Sequence, residues 1–192
     1  CGEGGLITTN NLNFKERCSS IMNHGKDKNK ALFTYSGNNF RLTEIQAVLV
    51  LSQLKFLKKI IYHRNKIAKI YQKKLNNDLF FTQLSLDKES NNTFWRYPIY
   101  LSKDISRSIL QTICAKKHGF RITWMYEPLC HQQPVFKKNF KLPEAENLIA
   151  RLINLPTHLH VKPSDAVRIC KNINFECKNL YEKKNIKSTS IG

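Results

Sequence analysis

No apolar run in this chain approaches the roughly 20 residues that a helix needs to cross a bilayer. The longest candidate, Ala47 to Leu57, is broken by Ser52, Gln53 and Lys55. No membrane association is expected, and no signal-peptide pattern opens the chain. An initiator Met is also missing. The chain starts at Cys1 with Gly2-Glu3-Gly4-Gly5 and runs straight into Leu6-Ile7. Chain starts are usually loose and polar, so this one reads as the middle of a fold. Paired cysteine motifs are lacking too. Cys1, Cys18, Cys114, Cys130, Cys170 and Cys177 contain no CxxC and no tight framework spacing. That pattern points to reduced thiols and a cytoplasmic protein. A zinc set drawn from Cys130, His131, His158 and His160 matches no common ligand spacing, so no metal is expected. Acidic residues are scarce, 14 against 32 Lys and Arg, for a net charge of +18. An excess of this size fits a nucleic-acid- or anion-binding module. The basic residues are nevertheless spread along the chain without interleaved aromatics, and Lys far outnumbers Arg. Nucleic acid is therefore not the expected partner, and a non-enzymatic basic binding module stands as the alternative reading.

What is present is a hydrophobic fraction of 41%, enough for a modest core. Residues 2–9 read as a turn and a short strand, with Glu3 pinning backbone amides of the turn. Residues 10–40 read as polar and irregular. From Thr43 to Leu75 apolar residues recur at helical spacing, among them Ile45, Val48, Leu49, Ile60, Ile61, Ile67, Ala68 and Tyr71. Thr43 with Gln46 forms a capping box. The run predicts one helix of about thirty residues or two with a bend, ended by Asn76-Asn77-Asp78. Phe94–Leu101 predicts a strand, with Pro98 marking an edge or a bulge. Ser102–His118 predicts a helix closed by Gly119. Phe120–Trp124 reads as another strand, 143–153 as a helix, 154–156 as a short strand or turn, and 163–175 as a last helix. From Glu182 the tail is polar and reads as disordered. Trp95 and Trp124 are expected in the core. The domains predicted are 1–42, a remnant of a larger domain; 43–75, a long interdomain helix; 76–180, a small α+β domain with a short antiparallel sheet; and 181–192, a tail.

Four stretches carry a family resemblance. They are Gly2-Glu3-Gly4-Gly5 before an apolar strand; Gly37-Asn38-Asn39-Phe40-Arg41-Leu42-Thr43-Glu44-Ile45-Gln46-Ala47; Arg64 through Ile67-Ala68 to Tyr71; and Tyr126-Glu127-Pro128-Leu129 with His131 and Pro134, followed by Leu155-Pro156-Thr157-His158. Together they resemble the C-terminal half of the DegT/DnrJ/StrS family, over residues 1 to about 178. The resemblance implies an α/β fold of the fold type I pyridoxal-phosphate transferases, of which this is the C-terminal part. It implies a homodimer that moves an amino group from an amino acid such as glutamate to a nucleotide-linked keto-sugar, in polysaccharide or glycan biosynthesis. Pyridoxal 5′-phosphate is the implied cofactor.

The resemblance also assigns residues. The Schiff-base lysine would fall upstream of Cys1, so no catalytic residue is assigned here, and Lys15, Lys26 and Lys30 are not in its motif. The chain by itself is therefore expected to be inactive. Asn39 matches the Asn that reaches across the dimer to the cofactor phosphate, for which its amide NH₂ is a suitable donor. Read from the residues alone, Asn39 shapes a turn after Gly37. Arg41 matches a neighbouring Arg that binds substrate by bidentate pairing; pairing with Glu44 is the alternative. Tyr126 and His131 match the element lining the sugar-nucleotide cleft. There Cys130 stands where a His is expected and His131 follows one place late, so either the loop carries an extra residue or Cys130 replaces the His.

Overall fold

The computed structural model of the protein describes residues 2–75, 79–83, 90–136 and 140–189, with 187–189 described by their backbone alone. Cys1 and the expected helix end at Asn76–Asp78 lie outside the described residues. The chain divides into two units, Cys1–Lys58 and Lys59–Gly192.

In the first unit Asn11 starts a helix, α1 (Leu12–Met22), by accepting a hydrogen bond from the Phe14 amide. This corrects the irregular reading of 10–40. The sequence signal is an Asn cap followed by Phe14, Cys18 and Ile21 at helical spacing. Residues 2–9 form no strand, which corrects the expectation there. Apolar residues predispose a segment to a strand, but a ladder partner is needed to make one. α2 (Glu44–Leu54) begins with the expected capping box between Thr43 and Gln46. It ends in a turn at Lys55–Phe56. Its Ile45, Val48, Leu49, Leu51 and Leu54 are all exposed. Among the described residues the first unit buries no large apolar side chain; the buried core lies in the second unit and begins at Ile67.

The second unit is built on α3 (Leu57–Lys74) and an antiparallel sheet in the order β1 (Phe81–Gln83), β2 (Tyr97–Leu101), β3 (Leu152–Leu155). Alternate residues of β2, namely Tyr97, Ile99 and Leu101, are buried, as the two-residue period of a strand requires. α3 buries Ile67, Ala68 and Tyr71, and the Tyr71 hydroxyl donates to the Pro156 carbonyl at 2.8 Å. Burial raises the pKa of both Tyr71 and Tyr97, so both hydroxyls stay protonated.

Pro98 lies in the central strand, not at an edge. The register explains why it is tolerated. Asn154, its partner on β3, exchanges both backbone hydrogen bonds with Thr123 instead. Pro98 and Asn154 thus face away from each other, and the missing amide of Pro98 points to the β1 side, one place past the last described pair, Gln83 with Ile99. The strand expected at Phe120–Trp124 reduces to this single bridge at Thr123.

α4 (Arg107–His118) is capped by Ser106 and closed by Gly119 in the left-handed region, φ 69°. α5 (Pro143–Arg151) leads directly into β3. The last helix, α6 (Pro163–Thr189), runs well past Phe175, so residues 182–189 of the tail expected to be disordered are helical. The cause lies upstream: Ile169, Cys170, Ile173 and Cys177 are buried, and a helix already nucleated and docked propagates into polar sequence. Buried Glu176 on α6 accepts hydrogen bonds from Lys117 Nζ at 2.9 Å and His118 Nε2 at 2.8 Å on α4.

Candidate functional site

Asn39 and Arg41 stand together in the first unit, on the strand of backbone between α1 and α2. Close backbone approaches fold that segment. A Cβ at Gly37 would overlap the Ile21 carbonyl, and one at Gly25, whose φ is +79°, would overlap the Tyr35 carbonyl. With glycine at both places the chain can double back on the end of α1. The His24 amide then donates to the Asn38 carbonyl at 3.0 Å, and the Phe40 amide to the Met22 carbonyl at 2.9 Å. This pairing holds Asn39 opposite Asn23. Arg41 Nε donates to Asn39 Oδ1 at 2.9 Å, and the Arg41 amide donates to the same oxygen at 3.4 Å. With its oxygen so engaged, the Asn39 amide NH₂ has no hydrogen-bond partner among the described residues. Both side chains are exposed. Among the described residues no carboxylate pairs with Arg41, so the pairing with Glu44 is not formed. Glu3 engages through its backbone carbonyl, which accepts from Gln46 Nε2 at 3.4 Å.

Tyr126 and His131 lie in the second unit, in the loop between the Thr123 bridge and α5. Two ties from outside hold this loop. On one side the Arg107 guanidinium lies over the Trp124 ring at 4.2 Å and pairs with Glu127 Oε2 at 2.5 Å. Its other nitrogen donates to the Ile149 carbonyl at 2.5 Å. On the other side His131 Nε2 lies 3.0 Å from Glu146 Oε1 on α5, and the Leu142 amide donates to the same oxygen at 3.0 Å. The hydrogen bond from His131, then that from the Leu142 amide, holds the Glu146 carboxyl below the ordinary carboxylate range. Within the loop Cys130–Gln132 form a 3-10 turn. The Gln132 side chain accepts from the Leu129 amide at 3.0 Å, and that of Gln133 donates to the Pro128 carbonyl at 2.9 Å.

The loop presents its residues unequally. Tyr126 is 65% exposed, whereas the His131 side chain is only 11% exposed. Cys130, the neighbour of His131, is exposed. Trp95, expected in the core, is 58% exposed and stacked under Arg96 at 4.2 Å. It sits on a bend where Phe94 adopts φ 45° and the buried Thr157 hydroxyl donates to the Phe94 carbonyl at 2.8 Å. Trp124 is partly covered, by Arg107. The sequence reading missed Arg107 and Glu146 as neighbours of the loop. Their separations of 20 and 15 residues carry no local signal. Among the described residues no group of three or more His, Cys, Asp or Glu is placed to hold a metal ion.

Residues 1–174 match the DegT/DnrJ/EryC1/StrS aminotransferase family. Among curated proteins the chain is similar to the GDP-perosamine synthase of Escherichia coli O157:H7, 29% identical over 178 residues, covering 90% of this chain and 47% of that protein. Among solved structures it is similar to Helicobacter pylori PseC, an aminotransferase involved in the biosynthesis of pseudoaminic acid. The TM-score is 0.71 at 26% identity, over 91% of this chain and 48% of that one. A DegT DnrJ EryC1 StrS aminotransferase from Brucella abortus gives a TM-score of 0.74 at 25% identity, over 86% and 44%. The chain thus spans about half the length of the curated relatives it matches.

Proposed function

Because the chain belongs to the DegT/DnrJ/EryC1/StrS aminotransferase family, whose members are pyridoxal-phosphate-dependent, we propose that it is the C-terminal part of an enzyme that moves an amino group from an amino acid, glutamate by preference, to the keto carbon of a nucleotide-linked sugar. The product would serve polysaccharide or glycan synthesis in the cytoplasm. The observation that carries this reading is the Asn39–Arg41 pair within the matched Gly37–Ala47 stretch. Arg41 occupies the oxygen of the Asn39 amide, which turns the NH₂ outward as a fixed donor. A phosphate oxygen is the acceptor that such a donor suits, strengthened by the adjacent guanidinium.

When bound, pyridoxal phosphate supplies the electron sink for transfer of the amino group. This chain's residues contribute around it. Asn39 holds the phosphate, reaching across a homodimer, and Arg41 fixes the Asn39 amide and adds positive charge for substrate. The exposed Tyr126 hydroxyl faces the sugar nucleotide. His131, tied to Glu146, anchors the loop from within, which leaves exposed Cys130 in the cleft-facing place. None of Lys15, Lys26 and Lys30 lies in the motif that would carry the cofactor, so no lysine of this chain is given that role.

The test is to express the chain joined to the segment encoded upstream and to supply glutamate with UDP- and GDP-linked keto-sugars. Formation of an amino-sugar nucleotide, lost when the upstream lysine is replaced, is expected. A joined protein that binds pyridoxal phosphate yet aminates none of the keto-sugars offered would overturn the substrate assignment.

A further inference from the structure

A cavity of about 470 Å³ opens in the second unit between the start of α4 and the end of α5. Its wall carries three cations, Lys103, Arg107 and Arg151, the hydroxyls of Ser106 and Ser108, and the Trp124 ring; no carboxylate lines it. The three cations are not equivalent. Arg107 is neutralised by Glu127. Arg151 is half-buried, and among the described residues no carboxylate lies within ion-pair distance of it. Among the described residues its hydrogen bonds are long ones to carbonyls, 3.3 Å to Asn147 in its own helix and 3.5 Å to Leu101. Its second terminal nitrogen has no partner among the described residues. Lys103 likewise has no acidic partner there, because neighbouring Asp104 pairs with Lys184 at 2.8 Å.

A half-buried guanidinium that meets only carbonyls among the described residues leaves donors free to take an anion. The hydroxyls of Ser106 and Ser108 lie 3.2 Å apart and offer donors on the same wall. A planar carboxylate has two oxygens to share among these groups. A tetrahedral phosphate has three or four, and can meet a guanidinium fork, an ammonium and a hydroxyl at once. We propose that this cavity binds a phosphate group, free or on a small soluble monoester, with Arg151 as its principal ligand and Lys103 and the serine hydroxyls completing it. This site is independent of the aminotransferase reading. It needs neither the cofactor nor any residue of the first unit.

Trp124 makes the proposal measurable. Trp95 and Trp124 are the two tryptophans of the chain, so Trp95→Phe leaves the cavity ring as sole reporter. Emission is followed while inorganic phosphate, glycerol 3-phosphate and acetate are added at ionic strength held constant with chloride. A saturable change with phosphate or its ester, and none with acetate, is expected. Tighter binding of the ester identifies a monoester as the ligand, and equal binding identifies free phosphate. Arg151→Gln should weaken binding about tenfold or more, the loss expected for one charge-assisted pair. Lys103→Gln should weaken it less, and Lys171→Gln, on the exposed face of α6, should leave it unchanged. Circular dichroism checks that Arg151→Gln is folded; if it is not, Lys103→Gln and Ser108→Ala decide. No saturable response, an equal response to acetate, or folded cavity variants that bind like the parent would overturn the site.

Discussion

Arg41 Nε and Asn39 Oδ1 lie 2.9 Å apart. That hydrogen bond, two residues long in sequence, decides which end of the Asn39 amide faces outward. In the complete enzyme Asn39→Ala should remove one donor to a charged phosphate, worth about 1.5–3 kcal/mol, and so weaken cofactor binding about 10- to 100-fold. Asn39→Asp should be worse, since it keeps the acceptor for Arg41 but sets a negative charge where the phosphate would sit. Absorbance titration with pyridoxal phosphate measures both. Parent-like affinity in Asn39→Ala would remove Asn39 from the site.

Arg107 should control the order of the loop that carries Tyr126. Arg107→Ala loses the stack on Trp124, the ion pair to Glu127 and the bond to the Ile149 carbonyl, together about 2–4 kcal/mol. Amide exchange over residues 124–133 should accelerate, while exchange in β2 stays slow. Arg107→Lys should restore only part of the protection, because an ammonium lacks the planar fork. Unchanged exchange in Arg107→Ala would show that the loop is ordered without it.

The contact between α4 and α6 should weaken in acid. Burial pushes the Glu176 carboxyl up, but the hydrogen bonds from Lys117 and His118 outweigh it and hold the group below the ordinary range. A carboxyl depressed in the folded state contributes stability above its unfolded pKa of about 4.3. That contribution is lost as pH falls through the lower folded value. Glu176→Gln should therefore cost about 1–3 kcal/mol at neutral pH and progressively less in acid. Urea unfolding of parent and variant across pH gives the difference; a constant difference would contradict the assignment.

Thiol reactivity should separate the cysteines. Burial pushes the thiols of Cys114, Cys170 and Cys177 up to about 12, so at mildly alkaline pH almost none is thiolate. Cys130 is exposed. Iodoacetamide should modify Cys130 in the native protein and reach the three buried thiols only in denaturant. Mass spectrometry of timed samples reads the order. Native-state labelling of Cys170 at a rate like that of Cys130 would contradict the packing of α6.

Much of the fold was legible where a local signal exists. Gly119 closes α4, although the helix starts at Arg107 and not at Ser102; Thr43 and Gln46 start α2, and the β-prone run from Phe94 to Leu101 holds the strand Tyr97–Leu101. What was misread depends on partners distant in sequence. Whether Leu6-Ile7 or Phe120–Trp124 becomes a strand is decided by what lies alongside, and Pro98 is tolerated in a central strand only because Asn154 turns to Thr123. The same holds for the candidate site. Asn39 and Arg41 were nameable because they sit in one contiguous motif. Arg107 and Glu146 were not, because their relation to Glu127 and His131 exists only after folding.

The central proposal is that Asn39 and Arg41 would contribute to the phosphate site of a pyridoxal-phosphate enzyme, while no lysine of residues 1–192 would carry the cofactor. Borohydride reduction in the presence of pyridoxal phosphate, followed by peptide mass spectrometry, tests it most directly. The account predicts no stoichiometric, single-site labelling within residues 1–192 and no transaminase turnover. Stoichiometric labelling of one lysine within this chain, accompanied by turnover, would contradict it.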